Sequence, residues 1–408
     1  MASGAKPLKV AILLPAVVGI SILARARNLA HLLLAARGAG GESVTIVIGV
    51  PGVESRERRA SEAYLKRDHP DIVTRPLLWE PVPVSNAKRM FLSVDERLDL
   101  EGIETVAVPR DWGWNYTDCD AWIVLADAGV GPILPLRPTA YICRDLAARL
   151  VPSAYAANIH DSYWVRQTGA FRLWRQAAFV ATSDPDTIDD LIGYAGIRPE
   201  KTMQIPSLLV PSFIPVLPEN PVADAPTICW WLEPSDLHDI EMAVNGIRLY
   251  WDEGGAMDVV IATETPEDAF HARIAEMSIS ATNKAFLADL QIQHVWSDEI
   301  FGRVLSRSAA LLSTLLAGGD GEAATIAARN GMHFVGLDYR VNRGRAEDAA
   351  TNTTLYAESS PIDIAEALQA AEARVLPKRT LPPAQALDRN AMQDGGFMID
   401  RLLEVGFA

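Results

Sequence analysis

The chain has 408 residues, 49% hydrophobic and 22% charged, enough for two domains with full-sized cores. No run approaches ~18 uninterrupted apolar residues, which argues against a spanning helix, and Cys119, Cys143 and Cys229 lack C-x-x-C or His-partner spacing, which argues against a zinc site and fits reduced core thiols. The net charge of −15 is uneven: 23 of the 37 Lys/Arg and 23 of the 52 Asp/Glu fall up to Ser212, leaving 14 basic against 29 acidic residues beyond it. That acidic half excludes nucleic acid as a partner through its general field.

The N-terminus combines a basic start with an apolar run, as a signal peptide does. The run continues into ILARARNLAHLLLAARG, with three arginines and no cleavage signal, so it reads as a first buried strand of a cytoplasmic protein. VAILLP (10–15), VTIVIGV (44–50), AWIVLAD (121–127) and AFVATS (178–183) read as strands buried on both faces. Helices are predicted over 21–37, 55–67 and 163–176, and another opens at Asp184-Pro185-Asp186 and runs through Ile192, with Gly193 near its end. Alternation of this kind marks βαβ units and a parallel sheet. Basic residues at Arg56, Arg58, Arg59, Lys66, Arg67, Lys88 and Arg89 fit either a solvated helix face or peripheral contact with an anionic membrane surface.

The proline-rich run 205–226 cannot continue a helix or a central strand and reads as a linker. Beyond it the alternation restarts. Strands are predicted over 227–232, 258–263, 292–295, 310–316 and 333–337, helices over 236–253, 283–290, 298–308 and 362–374, and a final helix over 387–405 broken at Gly395-Gly396. The domain plan is therefore 1–210, a linker 211–226, a second domain 227–380 and a helical tail 381–408. Two Rossmann-like α/β domains would present the carboxyl ends of their strands to a shared cleft.

The segment 311–338, LLSTLLAGGDGEAATIAARNGMHFVGLD, reads as strand, glycine-rich loop, helix, Gly stop and strand. Gly318, Gly319 and Gly321 permit close backbone approach, and a helix starting near Glu322 aims unpaired N–H groups at the loop. The segment fits a diphosphate site, and equally a plain strand-to-helix turn.

Several segments resemble the GT-B glycosyltransferases, especially retaining family 4. PTAYICRDLAARLVP is similar to the family's strand, His-Asp and proline segment. AAFVATSDPDTIDDLIGYAGIRPEKTMQIPSLL resembles the stretch that closes its N-terminal domain. DEIFGRVLSRSAALLSTLL and GGDGEAATIAARNGMHFVGLD fall on the helix, strand and donor loop of its C-terminal domain, and ESSPIDIAEALQAA on the helix that follows. The resemblance implies a nucleotide diphosphate sugar as donor in the second domain, a surface-glycan or lipid-linked acceptor in the first, and no metal or other cofactor. A GT-B module without catalysis, serving as a scaffold in polysaccharide biosynthesis, and a nucleotide-sugar epimerase on the same fold are the alternatives.

The departures matter as much. The two family glutamates fall at Gly318 and Ile326, which leaves Asp320 and Glu322 as the nearest carboxylates. The usual Arg/Lys pair after the first strand of the second domain is missing. His238 and the cluster Arg340, Arg343 and Arg345 are the candidates for the diphosphate, with a solvated loop paired to Glu347 and Asp348 as the other reading of the arginines. In the first domain the family's His-Asp reads Arg144-Asp145, and a second dyad, His160-Asp161, follows. Either can orient an acceptor hydroxyl, the second can act as a base if the enzyme is inverting, and either can be a structural pair. Gly19 stands where the family brings a glycine pair toward the donor. Trp112 and Trp114, with Tyr116 in the same RDWGWNY loop, form a candidate stacking platform for an acceptor sugar, or else core packing.

Overall fold

The computed structural model describes residues 7–15, 19–36, 38–39, 41–52, 56–90, 98–126, 132–152, 162–206, 208, 227–232, 238–277, 279–295, 297–316, 322–340, 342–344, 352–374 and 389–406. Two compact units emerge, Met1–Leu208 with Gln385–Ala408, and Leu209–Ala384. The linker predicted over 211–226 lies outside the described residues.

The strands of the first unit are β1 (Leu8–Leu13), β2 (Val44–Pro51), β3 (Val73–Leu77), β4 (Trp79–Pro83), β5 (Thr105–Pro109), β6 (Ala121–Ala126), β7 (Thr139–Cys143), β8 (Val180–Thr182) and β9 (Thr202–Gln204). Seven form one sheet in the order β3-β2-β1-β6-β7-β8-β9, and every pairing in it is parallel. β4 and β5 make a separate antiparallel pair. The helices are α1 (Ile20–Ala35), α2 (Arg56–Leu65), α3 (Val84–Met90), α4 (Ser162–Gln176) and α5 (Pro185–Gly193). In β1 Val10, Ala11, Ile12 and Leu13 are all fully buried, as expected of a central strand whose side chains are covered on both faces. α5 begins as its sequence implies: Asp184 accepts the Thr187 N–H at 2.8 Å and Pro185 occupies the first turn.

The second unit holds β10 (Thr227–Leu232), β11 (Asp258–Thr263), β12 (Gln291–His294), β13 (Ser308–Ser313), β14 (His333–Leu337) and β15 (Thr353–Tyr356). They form a parallel sheet in the order β12-β11-β10-β13-β14-β15. Its helices are α6 (Ile240–Asp252), α7 (Glu267–Glu276), α8 (Ala281–Asp289), α9 (Asp298–Arg307), α10 (Glu322–Arg329) and α11 (Pro361–Arg374). Trp230 and Trp231 point to opposite faces of β10. Trp230 joins the core beneath Ile247 and Tyr250 of α6 and Leu368 of α11, while Trp231 packs on Phe301 of α9 with ring centres 5.2 Å apart. The three cysteines are free and buried.

The last helix, α12 (Arg389–Gly406), belongs to the first unit and packs on α1. It runs unbroken through Gly395-Gly396, contrary to the expected break. Gly395 is a contact residue: a Cβ there would stand 2.8 Å from Ala36 Cβ and 2.9 Å from the Leu32 carbonyl. Packing against α1 offsets the roughly 1 kcal/mol that a mid-helix glycine costs. α6 likewise starts at Ile240 with Asp239 as its cap; the stretch 233–237, where its predicted start at Asp236 falls, lies outside the described residues. Among the described residues no helix is long and apolar enough to cross a membrane.

Candidate functional site

The second sheet reverses its strand order between β10 and β13. Connections leave neighbouring strands toward opposite faces at such a point, and the crevice beyond their carboxyl ends is where open α/β sheets bind ligands. His238 follows β10 and Thr314 follows β13, so the two stand at this crevice. His238 makes an isolated bridge with Leu315, and its Nδ1 lies 3.2 Å from Thr314 Oγ1. Thr314 Oγ1 also accepts the Trp230 indole N–H at 3.1 Å. The hydroxyl keeps its proton and a second lone pair, so it donates to or accepts from His238 Nδ1 according to the imidazole tautomer; when it donates, Nε2 carries the ring N–H.

Asp239 fixes this corner. Its N–H donates to the Thr314 carbonyl at 3.1 Å, its Oδ1 accepts from Met242 N at the start of α6, and its Oδ2 accepts the Ser359 hydroxyl at 2.8 Å. Three connections, after β10, β13 and β15, are thereby tied together at the carboxyl edge.

α10 starts at Glu322, as its sequence implies, and ends before Gly331, which has φ +59°. Glu322 is 2% exposed. A carboxylate in the first turn complements the helix dipole itself, so a diphosphate at this end needs cations from elsewhere. Arg340 and Arg343 follow β14 at the same edge. Arg340 is half-buried, and Arg343 Nε pairs with Asp338 Oδ1 at 3.0 Å on the surface. Gly319, Asp320, Gly321 and Arg345 lie outside the described residues.

In the first unit the order reverses between β1 and β6. Gly19, at the crevice end of β1, is the N-cap of α1 with extended backbone. Arg144 and Asp145 follow β7 at the same edge, half-buried and 3.8 Å apart. His160 and Asp161 lie outside the described residues. Trp114 is 77% and Trp112 38% exposed. Asp111 holds their turn by accepting from Gly113 N at 3.1 Å and Asn115 N at 2.8 Å, and Trp112 has φ +59°, unusual outside glycine. Tyr116 does not share this surface. It is fully buried, with its hydroxyl donating to the Pro76 carbonyl at 2.8 Å.

Thr314, Asp239 and Ser359 are functional candidates that pattern reading passed over. The signal for Thr314 is a polar Ser-Thr pair that interrupts the otherwise apolar run 310–316. Nothing in the sequence marks the pairing of Asp239 with Ser359, 120 residues apart.

No family model matches the chain, and no curated protein does. Solved structures match along nearly its whole length. Anabaena HepE in complex with UDP and glucose is 11% identical, covering 98% of this chain and 99% of its own, with TM-score 0.58. Sucrose-phosphate synthase from Thermosynechococcus elongatus is 12% identical over 98% of each chain, TM-score 0.57. UDP-GlcNAc 2-epimerase from Neisseria meningitidis bound to UDP-GlcNAc is 11% identical, covering 97% of this chain and 99% of its own, TM-score 0.54. These likenesses identify the class by its architecture: the chain has the GT-B fold of two Rossmann-like domains, found in glycosyltransferases and epimerases alike.

Proposed function

We propose that this protein is a glycosyltransferase that takes a nucleotide diphosphate sugar at the carboxyl edge of the second sheet. The observation that carries the reading is the His238–Thr314 pair at the strand reversal between β10 and β13. A ligand in that crevice meets the His238 imidazole, the start of α10 and the arginines after β14. These are the group types that stabilise negative charge growing on a diphosphate as the glycosidic bond breaks. The bond from the anomeric carbon to the leaving phosphate oxygen breaks, a bond to an acceptor hydroxyl forms, and the hydroxyl proton passes to a base, for which Asp145 and the His160-Asp161 dyad are the candidates. A surface-polysaccharide or lipid-linked glycan is the acceptor class this reading favours, with family 4 as the group it most resembles. It places the enzyme in the cytoplasm, with peripheral contact at the inner membrane face through the basic residues of the first domain.

A second reading, a nucleotide-sugar epimerase, is supported by the 2-epimerases of the same fold. Incubating the protein with UDP-sugars, with and without glycan acceptor, separates the two. Transfer releases the nucleoside diphosphate only when acceptor is present. An epimerase converts the sugar without acceptor, and a scaffold module does neither.

A further inference from the structure

A separate feature of the second unit lies beside α9. Ile300, Arg303, Val304 and Arg307 share one face of that helix, spaced by three and four residues. α9 packs on β10 and β13, and next to it Val260 of β11 and Gln291 and Gln293 of edge strand β12 line a cavity of about 320 Å³. The Arg307 end of this cavity lies at Thr227 and Ser308, the first residues of β10 and β13. His238 and Thr314 stand beyond the opposite ends of the same two strands, on the order of 20 Å away by strand rise.

The electrostatics of the cavity are unusual for this half of the molecule. The chain beyond Ser212 carries twice as many acids as bases, 29 against 14, yet no described residue lining the cavity is acidic. Arg303 and Arg307 are exposed, and among the described residues neither has an ion pair. Asp258, two residues before Val260 and so on the same strand face, pairs with neither. Like charges at i and i+4 on a helix repel modestly, and an anion held between Arg303 and Arg307 would relieve that repulsion. Guanidinium groups with planar forks of donors, beside two side-chain amides and the Thr227 hydroxyl, match a small oxyanion. The volume falls within the range of small-ligand pockets.

We propose that this cavity is a second anion site that takes a phosphate monoester or inorganic phosphate, held by Arg303 and Arg307 with Gln291 and Gln293 donating to its oxygens. The site is independent of the nucleotide-sugar reading, since it uses none of the residues at the carboxyl edge.

The test is calorimetric titration of the full chain with inorganic phosphate and, separately, with a hexose 6-phosphate, at constant ionic strength set by chloride. Wild type is expected to bind at least one probe saturably, and Arg303→Gln/Arg307→Gln to bind it at least roughly tenfold more weakly, as loss of charge-assisted hydrogen bonds requires. His238→Ala is expected to leave this binding unchanged. Tighter binding of the hexose phosphate than of phosphate identifies a sugar phosphate as the ligand, and the reverse identifies phosphate. If the double variant melts early, the single Arg303→Gln, at an exposed mid-helix position, carries the same comparison. No saturable binding of either probe, or equal binding by wild type and arginine variants, overturns the proposal.

Discussion

His238 Nδ1 lies 3.2 Å from Thr314 Oγ1, joining the connection after β10 to that after β13 across 76 residues of chain. Trp230 Nε1 donates to the same hydroxyl at 3.1 Å, so the threonine serves both a core indole and a histidine at the crevice. Substitutions at the two positions should therefore behave differently. Thr314→Val orphans the buried indole N–H and should cost about 1–3 kcal/mol of stability as well as nucleotide affinity. His238→Ala, at a half-buried position, should lower UDP affinity about tenfold, the loss of one charge-assisted contact, and shift the unfolding midpoint little. Denaturant titration and ligand binding on both variants check this. A destabilised His238→Ala with intact affinity would make the pair structural.

The Arg343–Asp338 contact bears on the diphosphate clamp. Both partners are partly exposed, so breaking the pair should cost no more than ~1 kcal/mol. Arg343→Ala is expected to reduce donor use while leaving the thermal midpoint nearly unchanged, and Asp320→Ala to do the same. Steady-state rates with varied donor give the answer, and full activity in both variants removes these residues from the site.

Much of this architecture is legible in the sequence, for a physical reason. The central residues of β1, β2, β6, β10, β11, β13 and β14 are mostly buried on both faces, so they form apolar runs, and such runs are visible. β3 (VTRPL) and the β4–β5 pair (WEPVP, TVAVP) are not visible in this way. They lie at edges, where proline and charge are tolerated, and their stability comes from pairing. β15 is four residues long and half polar. Gly395-Gly396 reads as a helix break because propensity is local, whereas the helix is stabilised by α1, hundreds of residues earlier. For the site, the position of α10 is legible from Gly318 to Gly331. The His238–Thr314–Asp239–Ser359 junction is not, because it is assembled from three connections by the sheet order.

That explanation of Gly395 is testable by a single methyl group. Gly395→Ala gains about 1 kcal/mol of helix propensity but places Cβ against Leu32 O and Ala36 Cβ, and overpacking of this kind costs roughly 1–3 kcal/mol. Net destabilisation is expected. Gly193, in the last turn of α5, has open space around its missing Cβ, so Gly193→Ala should instead stabilise by about 0.5–1 kcal/mol. Chemical denaturation of the two variants decides, and stabilisation by both would mean that α1 and α12 do not pack this closely.

His333 supplies a pH dependence. Its Nε2 lies 2.8 Å from Thr354 Oγ1, and its buried Nδ1 has no hydrogen-bond partner among the described residues. Burial, helped by the Arg374 charge, pulls its pKa from 6.5 down to about 4. Between those values the unfolded chain holds a proton that the native protein does not. The stability contribution is therefore complete above pH 6.5 and is lost as pH falls toward 4, by up to about 3 kcal/mol. His333→Asn has no such titration, so the stability difference between wild type and variant should shrink in favour of the variant from pH 7 to pH 4.5. A pH-independent difference would contradict this.

Trp114 tests the acceptor side. Being 77% exposed, its replacement by alanine should change stability by no more than about 0.5 kcal/mol. If the ring stacks on an acceptor sugar, Trp114→Ala raises the acceptor KM severalfold and leaves the donor KM alone. Unchanged acceptor kinetics would remove the loop from the site.

The central claim, that the crevice beyond β10 and β13 receives a nucleotide diphosphate sugar, is tested most directly by isothermal titration of the wild-type chain with UDP and the other nucleoside diphosphates. Saturable one-to-one binding of at least one of them, weakened in His238→Ala, is the expected result. Heats indistinguishable from dilution for every nucleoside diphosphate would contradict the account and leave the GT-B fold without its proposed donor.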